Sequence, residues 1–173
     1  MKNVKTVKID KELFNLVKSA IAKNESRKEL NTILVKNNVI AATDGSVLIE
    51  IKGKEKIIDV PFLADPVGNN LLTETEKDIT AESYPKYERC YNTENRKNET
   101  KAKIYIAELN SLVCWCTENK IALAYYAKEK FIKSLIKLGA SWILSIHNSD
   151  SLLMTTEYKE SKITVLLMGL KMI

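Results

Sequence analysis

Lys130, Lys133 and Lys137 are spaced i, i+3, i+7, the interval that stacks side chains along one face of a helix. Lys11 and Lys18 share a face in the same way near the amino terminus. Ammonium groups held in a row can contact phosphates. Lysine acts as a point charge rather than a planar fork, so it suits phosphate contact better than the reading of base edges. The plain alternative is a solvated lysine face. Other reactive groups offer less. His147, the single histidine, stands at a strand end before a polar turn and reads as a solvated residue rather than a base. Asp44 is explained by the turn it makes with Gly45 better than by catalysis. Gly45 and Gly53-Lys54 lack the spacing of a phosphate loop. Cys90, Cys114 and Cys116 do not make a zinc set with one histidine, and Cys114 and Cys116 read as buried packing. No catalytic constellation, metal or cofactor is expected, so the chain reads as a non-enzyme.

The totals suit one domain. At 173 residues the chain can bury a full core, and 45% hydrophobic with 28% charged residues is the composition of a soluble globular protein. No apolar run approaches the ~20 residues that span a bilayer, and the basic start lacks a signal-peptide core, which points to the cytoplasm. Net charge is +5, unevenly spread: residues 63–100 contribute −3 and the remainder +8. Arg27, Arg89 and Arg96 are the only arginines.

The elements that must position the lysines follow from periodicity. Residues 4–10 alternate and read as a strand, and Asp10 is a helix N-cap for a helix running to about residue 24. Leu13, Leu16, Val17, Ala20 and Ile21 gather on its apolar side, with Phe14 at the margin. Three short strands follow, NTILVKN, VIAAT and SVLIEIK, the last two joined by a type I′ Asp44-Gly45 hairpin. Residues 56–62 offer another strand, limited by Pro61. From 63 to about 100 periodicity disappears, and the stretch reads as a mobile loop or insertion. Residues 103–107 resume a strand, 108–119 fit a short helix or a strand equally, and 121–127 is a strand. Then comes the lysine-striped helix, with Phe131, Ile132, Leu135 and Leu138 on its apolar face and Gly139 as its stop. SWILSIH, LLMTTEY and KITVLLMGLKM are three closing strands. The result is β-α-β-β-β twice: a first repeat over about 4–62, a second over about 101–173, and a single α+β domain over 1–173.

Three segments resemble the bacterial DNA polymerase III beta subunit, the sliding clamp. VKIDKELFNLVKSAIAK with NTILVKNNVIAATDGSVLIEI resembles the opening half of a clamp domain. YPKYER (84–89) resembles the Tyr-Pro-x-Tyr-x-Arg connector, and residues 128–172 resemble the closing half with its short terminal tail. The family has three domains per chain and this chain has room for one, as in a shortened relative carried by a phage or mobile element.

The resemblance implies a DNA-clamp-like fold, with two helices packed on one face of an antiparallel sheet. It implies a processivity protein of DNA replication that holds duplex DNA non-specifically through Lys11, Lys18, Lys130, Lys133 and Lys137. It also implies a peptide-docking groove lined by Leu166, Met168, Leu170 and Met172, where polymerase or clamp-loader peptides would insert. Gly169 stands where the family has proline and Lys171 where it has arginine. Alternation along the last strand then sends Ile163, Val165 and Leu167 to the core and Thr164, Leu166 and Met168 to the groove. Ring closure would need a homo-oligomer. The alternative is a clamp-derived interaction module that binds a replication factor without encircling DNA.

Overall fold

Asp10 starts the first helix, α1 (Lys11–Ala20), by accepting the backbone N–H of Glu12 at 2.9 Å. The same carboxylate pairs with Lys159, so the cap also fastens the start of the chain to its last third. Partial burial alone would raise the Asp10 pKa. The hydrogen bonds from Lys159 and from the backbone of Glu12 and Leu13, with the Lys159 charge, outweigh it and hold the carboxyl below its ordinary value. A carboxyl depressed in the folded state stabilises above its unfolded pKa of 3.8 and loses that contribution as pH falls through the folded value. Asp10→Ala is expected to cost about 1 kcal/mol at neutral pH. Urea melts of the two proteins should begin to converge as pH falls past 3.8 and meet once it is below the depressed folded value, where the wild-type carboxyl is protonated too.

The computed structural model describes residues 4–91, 97–107, 111–116, 121–126, 129–139, 141–147, 151–168 and 171–172. Its first half holds β1 (Thr6–Lys8), α1, β2 (Ile33–Lys36), β3 (Val39–Thr43), β4 (Val47–Lys52), β5 (Phe62–Val67) and β6 (Leu71–Glu74). The second half holds β7 (Lys97–Ala107), β8 (Ser111–Cys116), β9 (Ile121–Tyr126), α2 (Glu129–Lys137), β10 (Trp142–His147), β11 (Ser151–Tyr158), β12 (Ser161–Met168) and β13 (Lys171–Met172). Among the described residues the strands form one antiparallel sheet, in the order β1-β6-β5-β2-β3-β4-β12-β11-β10-β7-β8-β9-β13. Read outward from the β4–β12 seam, both directions give the same plan: a three-strand run, a hairpin, then the strand that leads into a helix. Two β-α-β-β-β units are thus related by an approximate two-fold axis through the seam, as the sequence pattern implied.

Both helices lie on one face and pack against each other. Leu13, Phe14, Leu16, Val17 and Ala20 of α1 and Phe131, Ile132 and Leu135 of α2 are buried in one core. That core is completed by Ile49 and Ile51 of β4, Ile163, Val165 and Leu167 of β12, and Trp142. Each such side chain contributes roughly 1.5–3 kcal/mol when fully buried, which is why the helices are held with their lysines outward. Helix α1 ends at Ala20 rather than near residue 24. Ile21 turns extended (φ −75°, ψ 146°) and the Ala22 N–H goes to the Leu30 carbonyl. Gly139 does stop α2, at φ +61°, the left-handed region that glycine enters without strain.

Several expectations are corrected. Residues 63–83 are not a loop: β5 and β6 occupy part of them, with Leu63, Ala64 and Leu72 buried, and β6 supplies the partner of β1. The strand expected over 56–62 begins only at Phe62, after Pro61, and the N–H groups of Ile57 and Ile58 turn to the Asn37 carbonyl instead. The hairpin at Gly45 is not type I′, because only Gly45 has positive φ (+90°). Asp44 builds the turn through its side chain, which accepts from the Ser46 N–H, the Ser46 hydroxyl and the Val47 N–H. Within the ambiguous stretch 108–119, Ser111–Cys116 is a strand. Residues 92–96, part of the expected insertion, lie outside the described residues.

Candidate nucleic-acid interface

The face of the domain that carries the helices presents every lysine expected there. Lys11 and Lys18 on α1 and Lys130, Lys133 and Lys137 on α2 are all exposed. Helix spacing explains it: these positions fall between the apolar ones that the sheet buries. A concavity of about 370 Å³ lies between the helices, lined by Asn15 of α1 and by Glu129, Lys130, Lys133, Ser134 and Lys137 of α2. Lys130 also borders a second concavity of about 510 Å³ at the end of α1, together with Lys18 and Lys23. The two hollows therefore share one ammonium group.

The stripe is not uniformly free. Glu129 pairs with Lys133 one turn along α2, a contact the i, i+4 spacing already announces. Lys18 lies over the Phe14 ring, 5.5 Å from its centroid. Among the described residues, no carboxylate pairs with Lys18, Lys23, Lys130 or Lys137. Exposed ammonium groups of this kind attract polyanions at long range and are screened by salt.

Over β2, β3, β4, β5, β11 and β12 the opposite face of the sheet is covered by the chain itself. Tyr84, Tyr87, Leu34, Leu48, Leu63, Leu153 and Leu166 form a second buried cluster, with Tyr91 packed against it. The three tyrosines meet edge to face, with centroids 6.4 Å and 5.8 Å apart. The Tyr84 hydroxyl donates to the Ala41 carbonyl at 3.3 Å, and Tyr87 hydrogen-bonds Glu50. Burial foremost, with the Glu50 charge beside Tyr87 and Tyr91, pushes these phenols above the usual range. They stay neutral and act as apolar plates with polar edges. The connector-like segment is thus a lid on the sheet.

That lid changes the reading of the groove. Leu166, expected on an open groove wall, is only 2% exposed beneath Tyr84 and Tyr87, and Thr164 is buried as well. Alternation places both on the face opposite the helices, and the tyrosine segment closes over that face. The side chains of Met168 and Met172, and all of Leu170, lie outside the described residues, as do the side chains of His147, Cys114 and Cys116. The alternation that sends Ile163, Val165 and Leu167 to the helix side is observed. Two participants escaped sequence reasoning. Lys23 lies in a stretch whose pattern reads as helix, and the 84, 87, 91 spacing of the tyrosines is a sign of one packed face.

With this geometry established, solved structures supply the comparison. The chain is similar to the DNA polymerase sliding clamp from Pseudomonas aeruginosa crystallised with ligand, at TM-score 0.53 and 12% identity, covering 98% of this chain and 66% of that one. It is similar at TM-score 0.51 and 12% identity to the DNA polymerase III subunit beta sliding clamp of the same organism bound to griselimycin, covering 99% of this chain and 66% of that one. The chain therefore spans less than two thirds of the length of either clamp. No protein-family model matches the sequence, and no curated protein matches it. The fold is that of a sliding clamp.

Proposed function

We propose that this protein is a non-enzymatic, sliding-clamp-like accessory of DNA replication that holds duplex DNA through its helix face. The observation that carries the reading is the packing of α1 against α2 with their apolar sides on the sheet, which leaves Lys11, Lys18, Lys130, Lys133 and Lys137 on one outward surface. Lysines on such a surface meet phosphates and carry no base information, so binding is indifferent to sequence. Polymerase or loader peptides are the partners the clamp fold suggests, and assembly of several copies is what encircling DNA would require. No helix of the described residues is long and apolar enough to cross a membrane. An accessory of DNA replication would act in the cytoplasm.

The test is salt dependence. Affinity for duplex DNA should fall with salt at a logarithmic slope of roughly −3 to −4.5, which is what three to five phosphate contacts give. Filter binding at several salt concentrations measures it, and a slope near zero would dismiss phosphate contact. A second reading is favoured by the Glu129–Lys133 pair, which takes one ammonium group out of the stripe. In it the domain binds a replication protein without encircling DNA, and no duplex is retained at any salt concentration.

A further inference from the structure

We propose that the hollow at the carboxyl end of α1 is a binding site for a free nucleoside triphosphate, a small ligand distinct from any nucleic acid on the helix face. The two repeats diverge at this point. Their helices correspond at a constant offset, with buried Leu13 matched to Phe131, Val17 to Leu135 and Ala20 to Leu138. The chain passes directly from α2, ending at Lys137, to β10 at Trp142. From α1, ending at Ala20, it takes a longer loop with a 3₁₀ turn at Lys28–Asn31 before β2 starts at Ile33. The charges of the hollow do not recur across the two-fold axis either: Lys18 answers to Ile136 and Lys23 to Ser141. The elaborated loop therefore gives the first repeat a concavity of its own, and long loops of this kind commonly carry function.

Its lining divides into two parts. Lys18, Lys23 and Lys130 supply three ammonium groups, and phosphates suit them as point charges. Lys130 stands in the first turn of α2, whose amino end adds partial positive charge, while the carboxyl end of α1 opposes an anion with only about half a charge. Ile21 and Ala22 form an apolar part against which a base can lie, and the Glu25 carboxylate can accept from an exocyclic amine. Asp44 also borders the hollow, with its carboxylate engaged by the N–H groups of Ser46 and Val47. At about 510 Å³ the space falls within the roughly 300–1,000 Å³ of ordinary ligand sites. The hollow between the helices, about 370 Å³, has lysines and no apolar side chain, so it offers a base nothing. The rim is fastened in advance. Asn24 takes φ +58°, and the Ala22 N–H donates to the Leu30 carbonyl at 2.9 Å. The Asn31 side chain accepts the Glu25 N–H at 3.2 Å and donates to the Glu25 carbonyl at 3.0 Å. Lys18 and Lys130 belong to the duplex surface as well. Where that reading holds, and only there, nucleotide and duplex compete for these two lysines, so the nucleotide regulates how firmly DNA is held.

Calorimetric titration at fixed low salt compares ATP, UTP and inorganic triphosphate on wild type, Lys23→Glu and Glu25→Ala. Both substituted residues are exposed, and circular dichroism confirms the fold of each variant. Wild type is expected to bind ATP about tenfold more tightly than inorganic triphosphate or UTP, whose base lacks an exocyclic amine. Lys23→Glu should lose about tenfold on ATP, and Glu25→Ala should lose the preference for ATP over UTP while still binding inorganic triphosphate. Equal affinity of wild type for ATP and inorganic triphosphate would reduce the hollow to a phosphate-attracting surface and overturn the site. An ATP affinity that neither substitution changes would overturn it too. Adding ATP to a labelled blunt duplex bound to wild type reads the competition, and a duplex that stays bound while ATP occupies its site overturns that part. Duplex binding without ATP binding removes the nucleotide site and leaves the duplex reading; ATP binding without duplex binding does the reverse.

Discussion

Reversing the charge of Lys130, Lys133 and Lys137 together is expected to abolish DNA binding while the fold survives. All three are exposed on α2, opposite Phe131, Ile132 and Leu135, so no core contact is lost. Loss of three phosphate contacts weakens binding by orders of magnitude at moderate salt, and three carboxylates add repulsion. Lys133→Glu also breaks the pair with Glu129 and places like charges one turn apart, a cost of only a few tenths of a kcal/mol in helix stability. A gel-shift titration beside a thermal melt reads both halves of the expectation. Retained affinity in the triple variant would remove α2 from the DNA surface.

Leu166→Asp should instead damage the fold. Leu166 pairs across the sheet with Leu48 and Leu153 and lies under Tyr84 and Tyr87 at 2% exposure. A carboxylate there finds no cation in that cluster, and an uncompensated buried charge costs roughly 3–5 kcal/mol. Against a typical total of 5–15 kcal/mol, this leaves a protein that unfolds early in urea. The same substitution separates two pictures of the back face. If melting is unchanged and only the binding of a clamp-directed peptide is lost, the tyrosine segment lifts readily and Leu166 lines a docking groove after all.

Local chemistry was legible where one segment carries the whole signal. The α2 stripe, the Asp10 cap and the Gly139 stop each depend on residues a few positions apart, and all stand as expected. What depended on a distant partner was not. β5 (FLADPV) and β6 (LLTE) are short, do not alternate, and in β5 include a proline, and they are strands because β1 and β2 flank them in the sheet. Lys159 is far in sequence from the Asp10 it holds. Leu166 looked like a surface residue because alternation shows that a strand has two faces but not whether something covers the second. For the candidate site this meant that the lysines were found and the enclosing loop of Lys23 was missed.

The seam between β4 and β12 also bears on how the chain reaches its structure. Val47 pairs with Leu167, so the centre of the sheet joins the first third of the protein to its last few residues. During synthesis β4 leaves the ribosome with one edge unpaired and with Ile49 and Ile51 lacking half of their eventual neighbours. It waits in that state until nearly the whole chain has emerged. Contacts of such long range are slow to form, because chain entropy is lost before they stabilise anything. The interval also exposes an apolar strand edge to other nascent chains. The seam that unites the two repeats therefore closes only after β12 has been made, and until then the edge of β4 stays open.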